Sequence, residues 1–335
     1  MLQQLKIEGR LLNYIVNNFL KEDIELLFSG EVLDLQFKYS DLFNDEDLMK
    51  FYNIDLLEET NNHVEKIIKE SKENGIEIIT FYDEIYPESL REIKNSPLII
   101  YAKGNVELLK NSKAVGCVGT RKPSDFIIPI VENIVRELAK EEGVIVSGLA
   151  IGIDTISHNS ALLNGAKTIA VLANGLDWIY PKENEKLAKE ILRKDGLIIS
   201  EYPIGSKINK TNFINRNRIV SGLSRGIIIF EAGENSGTMH TARFAVTQGK
   251  QLYCPITDEV SSGVKKLIET NSAKTFKRVS SIIDDLFQTE IKELKINLGK
   301  EDYEQLRYIA ETKGETVEGL MKVILSKLFK GEMNL

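Results

Sequence analysis

The stretch KAVGCVGTRKPSDFIIPIVENIVRELAKEEGVIVSG, residues 113–148, decides the fold. It opens with a short apolar run, 113–118, and closes with another, 143–147. Both are rich in valine and isoleucine, which favour strands. Between them, SDFIIPIVENIVRELAKEEG sets Ile127, Val131, Ile134 and Leu138 on one helical face, with Ser124 placed to cap it. Four more strand-like runs follow at 167–173, 196–200, 226–231 and 250–255, with helical segments in most gaps. Near-continuous apolar strands alternating with helices imply a parallel sheet covered on both faces. The expected fold is α/β, a Rossmann-like, doubly wound, mainly parallel sheet that binds ligands at the carboxyl ends of its strands.

Outside this block the patterns change. Residues 1–74 read as a small helical N-terminal domain, from LLNYIVNNFL and HVEKIIKESKENG, with no chemical motif. Residues 75–105 read as strand, turn, short helix, strand, a bridge into the sheet domain. That domain is expected over 75–290, with its core at 105–270. In the tail, 291–335, LKINL alternates Leu294, Ile296 and Leu298 against Lys295 and Asn297, and two helical segments follow. A strand and two helices of that size cannot bury a core alone, so the tail must dock or dimerise.

The 335 residues are 42% hydrophobic and carry a net charge of −7. No apolar run reaches membrane-spanning length, and MLQQLKIEGR lacks the apolar core of a signal peptide. Cys117 and Cys254 lie inside strand-like runs, as buried reduced thiols would. A cytoplasmic protein without a membrane partner is expected. The charge is uneven. Residues 1–112 hold 12 basic and 22 acidic side chains, whereas residues 113–255 hold 18 and 14. A locally basic domain inside an acidic chain keeps nucleic acid open as a partner.

The strand ends carry the candidate chemistry. After the first, GTRKPSD supplies Gly119 for a tight turn, the cations Arg121 and Lys122, and Ser124 at a helix start, together an anion site. Neither the Walker A spacing nor GxGxxG is present, which disfavours dinucleotide binding. After the second, SGLAIGIDTISH offers Ser147, Gly148 and Gly152 for close backbone approach. Asp154 and His158 lie one turn apart there. Without a third ligand they read as a structural hydrogen bond rather than a metal or acid–base pair. After the third comes NGLDWIYPKEN, with an aromatic pair and Lys182. After the fourth, Lys207, Lys210, Phe213, Arg216 and Arg218 cluster, and after the fifth Ser236 and Gly237 open a helix. Cations with Phe213 or Trp178 as stacking faces suit single-stranded nucleic acid. No GxSxG elbow accompanies the three histidines, so no nucleophile triad is visible.

Six blocks in order, VGTRKPSD, SGLAIGIDTISH, TIAVLANGLDWIYPKEN, ISEYPIG, FINRNRIVSGLS and EAGENSGTMHTARFAVTQGK, resemble the DNA-processing protein A family (DprA, also called Smf). The resemblance covers about residues 75–270. It implies a Rossmann-like domain that binds single-stranded DNA without catalysis, needs no cofactor, forms homodimers and loads the RecA recombinase during natural transformation. It implies DNA contacts at Arg121, Lys182 and Lys210, and at Arg216, Asn217 and Arg218 of the RNR block. Within that block, Arg216 is expected to face phosphate and Arg218 to brace the loop. Two departures stand out. Ile214 and Asn215 occupy a place where the family usually has a proline, and Pro255 is followed by Ile256 rather than glycine. The tail looks like a ribbon-helix-helix unit rather than a winged helix, with a small helical dimerisation or protein-docking module as the alternative. Lys295 and Asn297 would then be possible contacts to duplex DNA, and the tail could build a higher oligomer. The alternative function is a nucleotide-binding or nucleoside-monophosphate-hydrolysing enzyme. Its catalytic acid would fall where AGENSGTMHTA has His240 and Thr241, which disfavours it.

Overall fold

The structure, a computed structural model, describes residues 50, 53–287, 299–312, 316–317 and 320–321. The chain divides into two units, Met1–Gln288 and Thr289–Leu335. In the first, the order is α1 (Ile54–Glu73), β1 (Glu77–Thr80), α2 (Glu88–Arg91), β2 (Ile99–Gly104), β3 (Ala114–Val118), α3 (Ile127–Lys140), β4 (Val144–Ser147), α4 (Ile153–Leu163), β5 (Thr168–Leu172), α5 (Glu185–Arg193), β6 (Leu197–Ser200), α6 (Lys210–Leu223), β7 (Gly226–Ile229), α7 (Gly237–Thr247), β8 (Gln251–Pro255), α8 (Ser262–Glu269), β9 (Ala273–Phe276) and α9 (Ser280–Phe287). In the second, α10 spans Lys300–Thr312. No described helix is long and apolar enough to cross a membrane.

The nine strands form one sheet in the order β1-β2-β6-β5-β4-β3-β7-β8-β9. From β6 to β9 every neighbour is parallel. The strand, short helix and strand expected at 75–105 are present as β1, α2 and β2, and the two strands join the sheet itself rather than bridge to it. β2 pairs antiparallel with β6, Tyr101 opposite Ser200, and β1 closes the edge. Alternation of side chains explains the two covered faces. Ala114 and Val118 of β3 join a cluster with Leu90, Val220, Met239 and Val264 from α2, α6, α7 and α8. Val115 and Cys117 point the other way, to Val131, Ile153 and Ile282 of α3, α4 and α9. α1 and α5 cover that second face further out, through Ile67, Leu187 and Ile191 against Tyr101 and Ile198. Helix α3 buries the four residues expected of it and Val135 besides. Its Pro129 sits in the first turn, where the missing N–H has no partner to lose.

β9 has no counterpart among the expected strands. Only Phe276 of its four residues is buried, so the apolar signature of a central strand is absent. The run FINRNR also differs from expectation. It is not a loop but the interior of α6, which begins at Lys210. Asn209 caps that helix by accepting the Asn212 amide at 2.8 Å. The expected tail strand, with Lys295 and Asn297, and residues 1–49 of the expected N-terminal domain lie outside the described residues.

The winding fixes where a ligand can enter. From β3 the chain steps outward through β4 and β5 to β6, then returns along α6 to place β7 on the other side of β3. Loops leaving the carboxyl ends of β3 and β7 therefore diverge to opposite faces and open a crevice between them.

Candidate functional site

A cleft of about 540 Å³ occupies that switch point, with Gly119, Arg121, Lys122, Gly148, Phe213, Arg216, Asn217, Ser236 and Gly237 among its walls. Close backbone packing shapes its first wall. A Cβ at Gly119 would meet Ile153 Cγ1 at 2.5 Å, and one at Gly152 would lie 2.8 Å from Arg121 Cα. Gly152 also takes φ 87°, in the left-handed region. The Ile153 amide donates to Thr120 O at 3.1 Å, locking the β3 loop onto the start of α4. Arg121 is left exposed, with its guanidinium over the Phe213 ring, 5.7 Å from Cζ to centroid. This cation–π pair joins a charge and a flat face at the mouth.

Arg216 forms the floor. It is 6% exposed, and its Nη1 donates to Gly148 O and Val171 O at the ends of β4 and β5. Its Nε is buried without a partner. Asp154, also buried, accepts the Gly148 and Ala150 amides at 3.1 and 3.2 Å. Burial pushes the Asp154 carboxyl up and the Arg216 guanidinium down; the charge of each opposes the shift of the other. His158 lies in the same buried layer. The Thr168 hydroxyl donates to Ile145 O, so it accepts from His158 Nδ1 at 2.7 Å, and Nδ1 carries the proton. Burial, aided by the charge of Arg216, pulls His158 down to about 3, so the ring is neutral at ordinary pH. Asp154 and His158 are each committed to other partners. No cluster of three or more potential metal ligands occurs among the described residues.

The opposite wall is the start of α7. Ser236 is its N-cap, Thr238 Oγ1 donates to Gly119 O at 2.9 Å, and Asn217 Nδ2 donates to Gly237 O at 3.3 Å. The positive end of this 11-residue helix therefore opens onto the cleft beside Arg121 and Arg216, a setting that favours an anion.

Several expected site residues lie elsewhere. Ser124 does not offer its donors to a ligand, because its amide and Oγ donate to the Glu231 carboxylate at 2.9 and 2.7 Å. Nor does it cap α3, whose N-cap position is Phe126. Ser147 is fully buried and donates to Cys117 O at 2.7 Å. Arg218 forms a two-pronged ion pair with Glu201 and donates to Asn95 O and Asn215 O, all away from the cleft walls. Lys210 is exposed at the first position of α6 and does not line the cleft. Lys182 is exposed too, but lines a second groove. Glu231 was not among the expected site residues. Only its position after β7, facing the β3 loop, marks it.

All four chain segments that line this cleft, after β3, after β4, in α6 and at the start of α7, fall in one matched segment. The family model for DNA recombination-mediator protein A matches residues 77–287. The chain belongs to this family. DNA processing protein DprA of Bacillus subtilis is 35% identical over 230 residues, 68% of this chain and 77% of that protein. DprA of Streptococcus pneumoniae is 43% identical over 190 residues, 56% of this chain and 66% of that one. The crystal structure of Streptococcus pneumoniae DprA aligns with TM-score 0.63 and 30% identity, covering 87% of this chain and 99% of that structure. Helicobacter pylori DprA, described for its single-stranded DNA binding mode, aligns with TM-score 0.58 and 34% identity, covering 63% and 96%. In this DprA-family chain the matched segment contains the whole cleft and both edge strands; α10 and the expected tail strand lie outside it.

Proposed function

We propose that this chain is a recombination mediator that binds single-stranded DNA in the switch-point cleft and performs no chemistry on it. The observation that carries the reading is the cleft itself. An exposed Arg121 rides on Phe213 at its mouth, and a helix N-terminus faces a buried arginine at its floor. Cations neutralise phosphate, and the aromatic ring gives a base a face to stack on. The single-strand binding described for the Helicobacter pylori relative supports the same ligand. The carboxylate chemistry supports a non-catalytic role. Asp154 is the one carboxylate among the residues lining the cleft, and it is tied to two amides and the field of Arg216. Handing the bound strand to RecA, protecting it, and pairing as a homodimer are part of the same proposal. A cytoplasmic setting fits two buried free thiols.

The test combines fluorescence anisotropy on labelled oligo-dT, over a salt series, with a nucleotide-hydrolysis assay. Binding that weakens with salt and no turnover is expected. Turnover of a nucleoside monophosphate, or loss of no affinity on Arg121→Ala, would refute the assignment. Light scattering on the full chain tests the dimer.

A further inference from the structure

The second groove, which holds Lys182, has no role in the cleft. Its volume is about 530 Å³, close to that of the cleft. It runs from the loop after β5 down between α5 and the edge of the sheet, past Ile198 of β6 and Lys103 of β2. Its walls include Leu176, Trp178, Ile179, Ala188 and Leu192, an apolar surface. Two carboxylates share the groove, and both are engaged: Glu185 pairs with Lys189 at 2.7 Å and also feels the charge of Lys182, and Asp177 accepts the Gly205 amide at 3.0 Å. Lys103 and Lys182 form no close ion pair among the described residues.

The two grooves are linked by aromatic rings. Trp178 and Tyr180 sit 6.3 Å apart, centroid to centroid, and Tyr180 and Phe213 sit 5.7 Å apart. Arg121 caps the far end over Phe213. Trp178 and Tyr180 are 36% and 38% exposed, a large outlay of aromatic surface to water. A small recess between the grooves is lined by Arg121, Phe213 and Arg216, shared with the cleft, and by Tyr180, shared with the second groove. The ring planes are turned 71° and 55° to one another, so the rings offer separate faces rather than one stack. Aromatic faces interleaved with cations suit single-stranded nucleic acid.

We propose that the groove of Lys103, Trp178 and Lys182 is a second nucleotide subsite, occupied by the continuation of the same DNA strand that fills the cleft. The strand crosses over Tyr180. Trp178 stacks a base against the apolar wall while Lys103 and Lys182 take the flanking phosphates. This rests on the reading of the cleft as the single-strand site. It adds that the footprint has two parts and that affinity rises in a step once an oligonucleotide is long enough to span both.

The chain has one tryptophan, Trp178, so its emission reports on this groove without any mutation. Oligo-dT of about 4 to about 16 nucleotides is titrated into the full chain. Anisotropy of the labelled oligonucleotide and tryptophan emission are read in parallel. The short oligonucleotides are expected to bind without changing emission and the long ones to quench it. Lys103→Glu should weaken long oligonucleotides about tenfold and leave short ones unchanged. Unchanged emission with a long oligonucleotide shown by anisotropy to be bound would overturn the proposal, as would quenching that is equal at all lengths. Loss of short and long binding alike on Lys103→Glu, with the variant folded by circular dichroism, would also overturn it. If Arg121→Ala leaves every length unaffected while long oligonucleotides still quench, the cleft reading fails and the groove stands alone.

Discussion

Gly148→Ala is the sharpest test of how the floor of the cleft is built. The backbone at 148 is not in the left-handed region, so alanine itself is conformationally acceptable. The obstacle is the space. The three atoms nearest an added Cβ are Nη1, Cζ and Nη2 of Arg216, all far inside van der Waals contact. The guanidinium must leave, and it loses its bonds to Gly148 O and Val171 O. Hydrogen bonds to a charged group contribute about 1.5–3 kcal/mol each, and hydration of the released cation returns part of this. A net loss of about 2–4 kcal/mol is expected in urea unfolding, together with a loss of oligo-dT affinity similar to that of Arg216→Ala. The decisive measurement is the double-mutant cycle. In an Arg216→Ala background the Cβ meets no guanidinium, so Gly148→Ala should cost under about 0.5 kcal/mol. Costs that simply add would show that Arg216 is not what Gly148 makes room for, and the account of the floor would be wrong.

Three further outcomes follow from the same geometry. Arg121→Ala removes one exposed cation and its stack on Phe213; affinity for oligo-dT should fall about tenfold and the log–log salt slope should become shallower by about 0.7, read by anisotropy. His158 is held near 3 in the folded chain, so below its ordinary value of about 6.5 the unfolded state binds more protons and stability falls toward pH 3. The slope approaches about 1.4 kcal/mol per pH unit. Asp154, raised by burial, acts in the opposite direction, so the comparison is between wild type and His158→Gln, whose denaturation curves should lose less stability from pH 6.5 to 5 by about 2 kcal/mol. Arg218→Ala strands the Glu201 carboxylate, with side chains only 9% and 15% exposed in the pair. A cost of about 3 kcal/mol is expected in unfolding, while the oligo-dT affinity of the folded fraction stays within about twofold, since Arg218 does not line the cleft.

The central strands were legible because burial on both faces writes itself as an unbroken apolar run, as in AVGCV and GIII, whose residues are all buried. The edges were legible only in part. β9 buries one of its four residues and so carries no apolar run, and the strands read at 75–105 gave no sign that β2 pairs with β6, about a hundred residues later. At the site, Arg121 and Phe213 were both named as candidates, because a cation next to a tight glycine turn and an aromatic beside a basic run are local signals. Their stacking on each other is not local; 92 positions separate them and the winding of the sheet brings them together. Ser124 read as a free helix-start donor, since its partner Glu231 is 107 positions away.

The RNR run shows the division most plainly. The residues alone determined that two arginines sit two positions apart beside a buried segment. They also determined the alternation of strand and helix that puts the run at the rim of a parallel sheet. They did not determine that the run is helical, and the expected division of roles, Arg216 toward the ligand and Arg218 as a brace, had no geometric reason until the helix supplied one. On a helix, two positions are about 200° apart, so one arginine turns to the cleft floor and the other away from it. The partners that hold them, Gly148 and Val171 for Arg216, Asn95 and Glu201 for Arg218, lie between 17 and 123 positions distant. A buried charge is placed by the groups that accept its protons, and only the tertiary structure brings those groups to it.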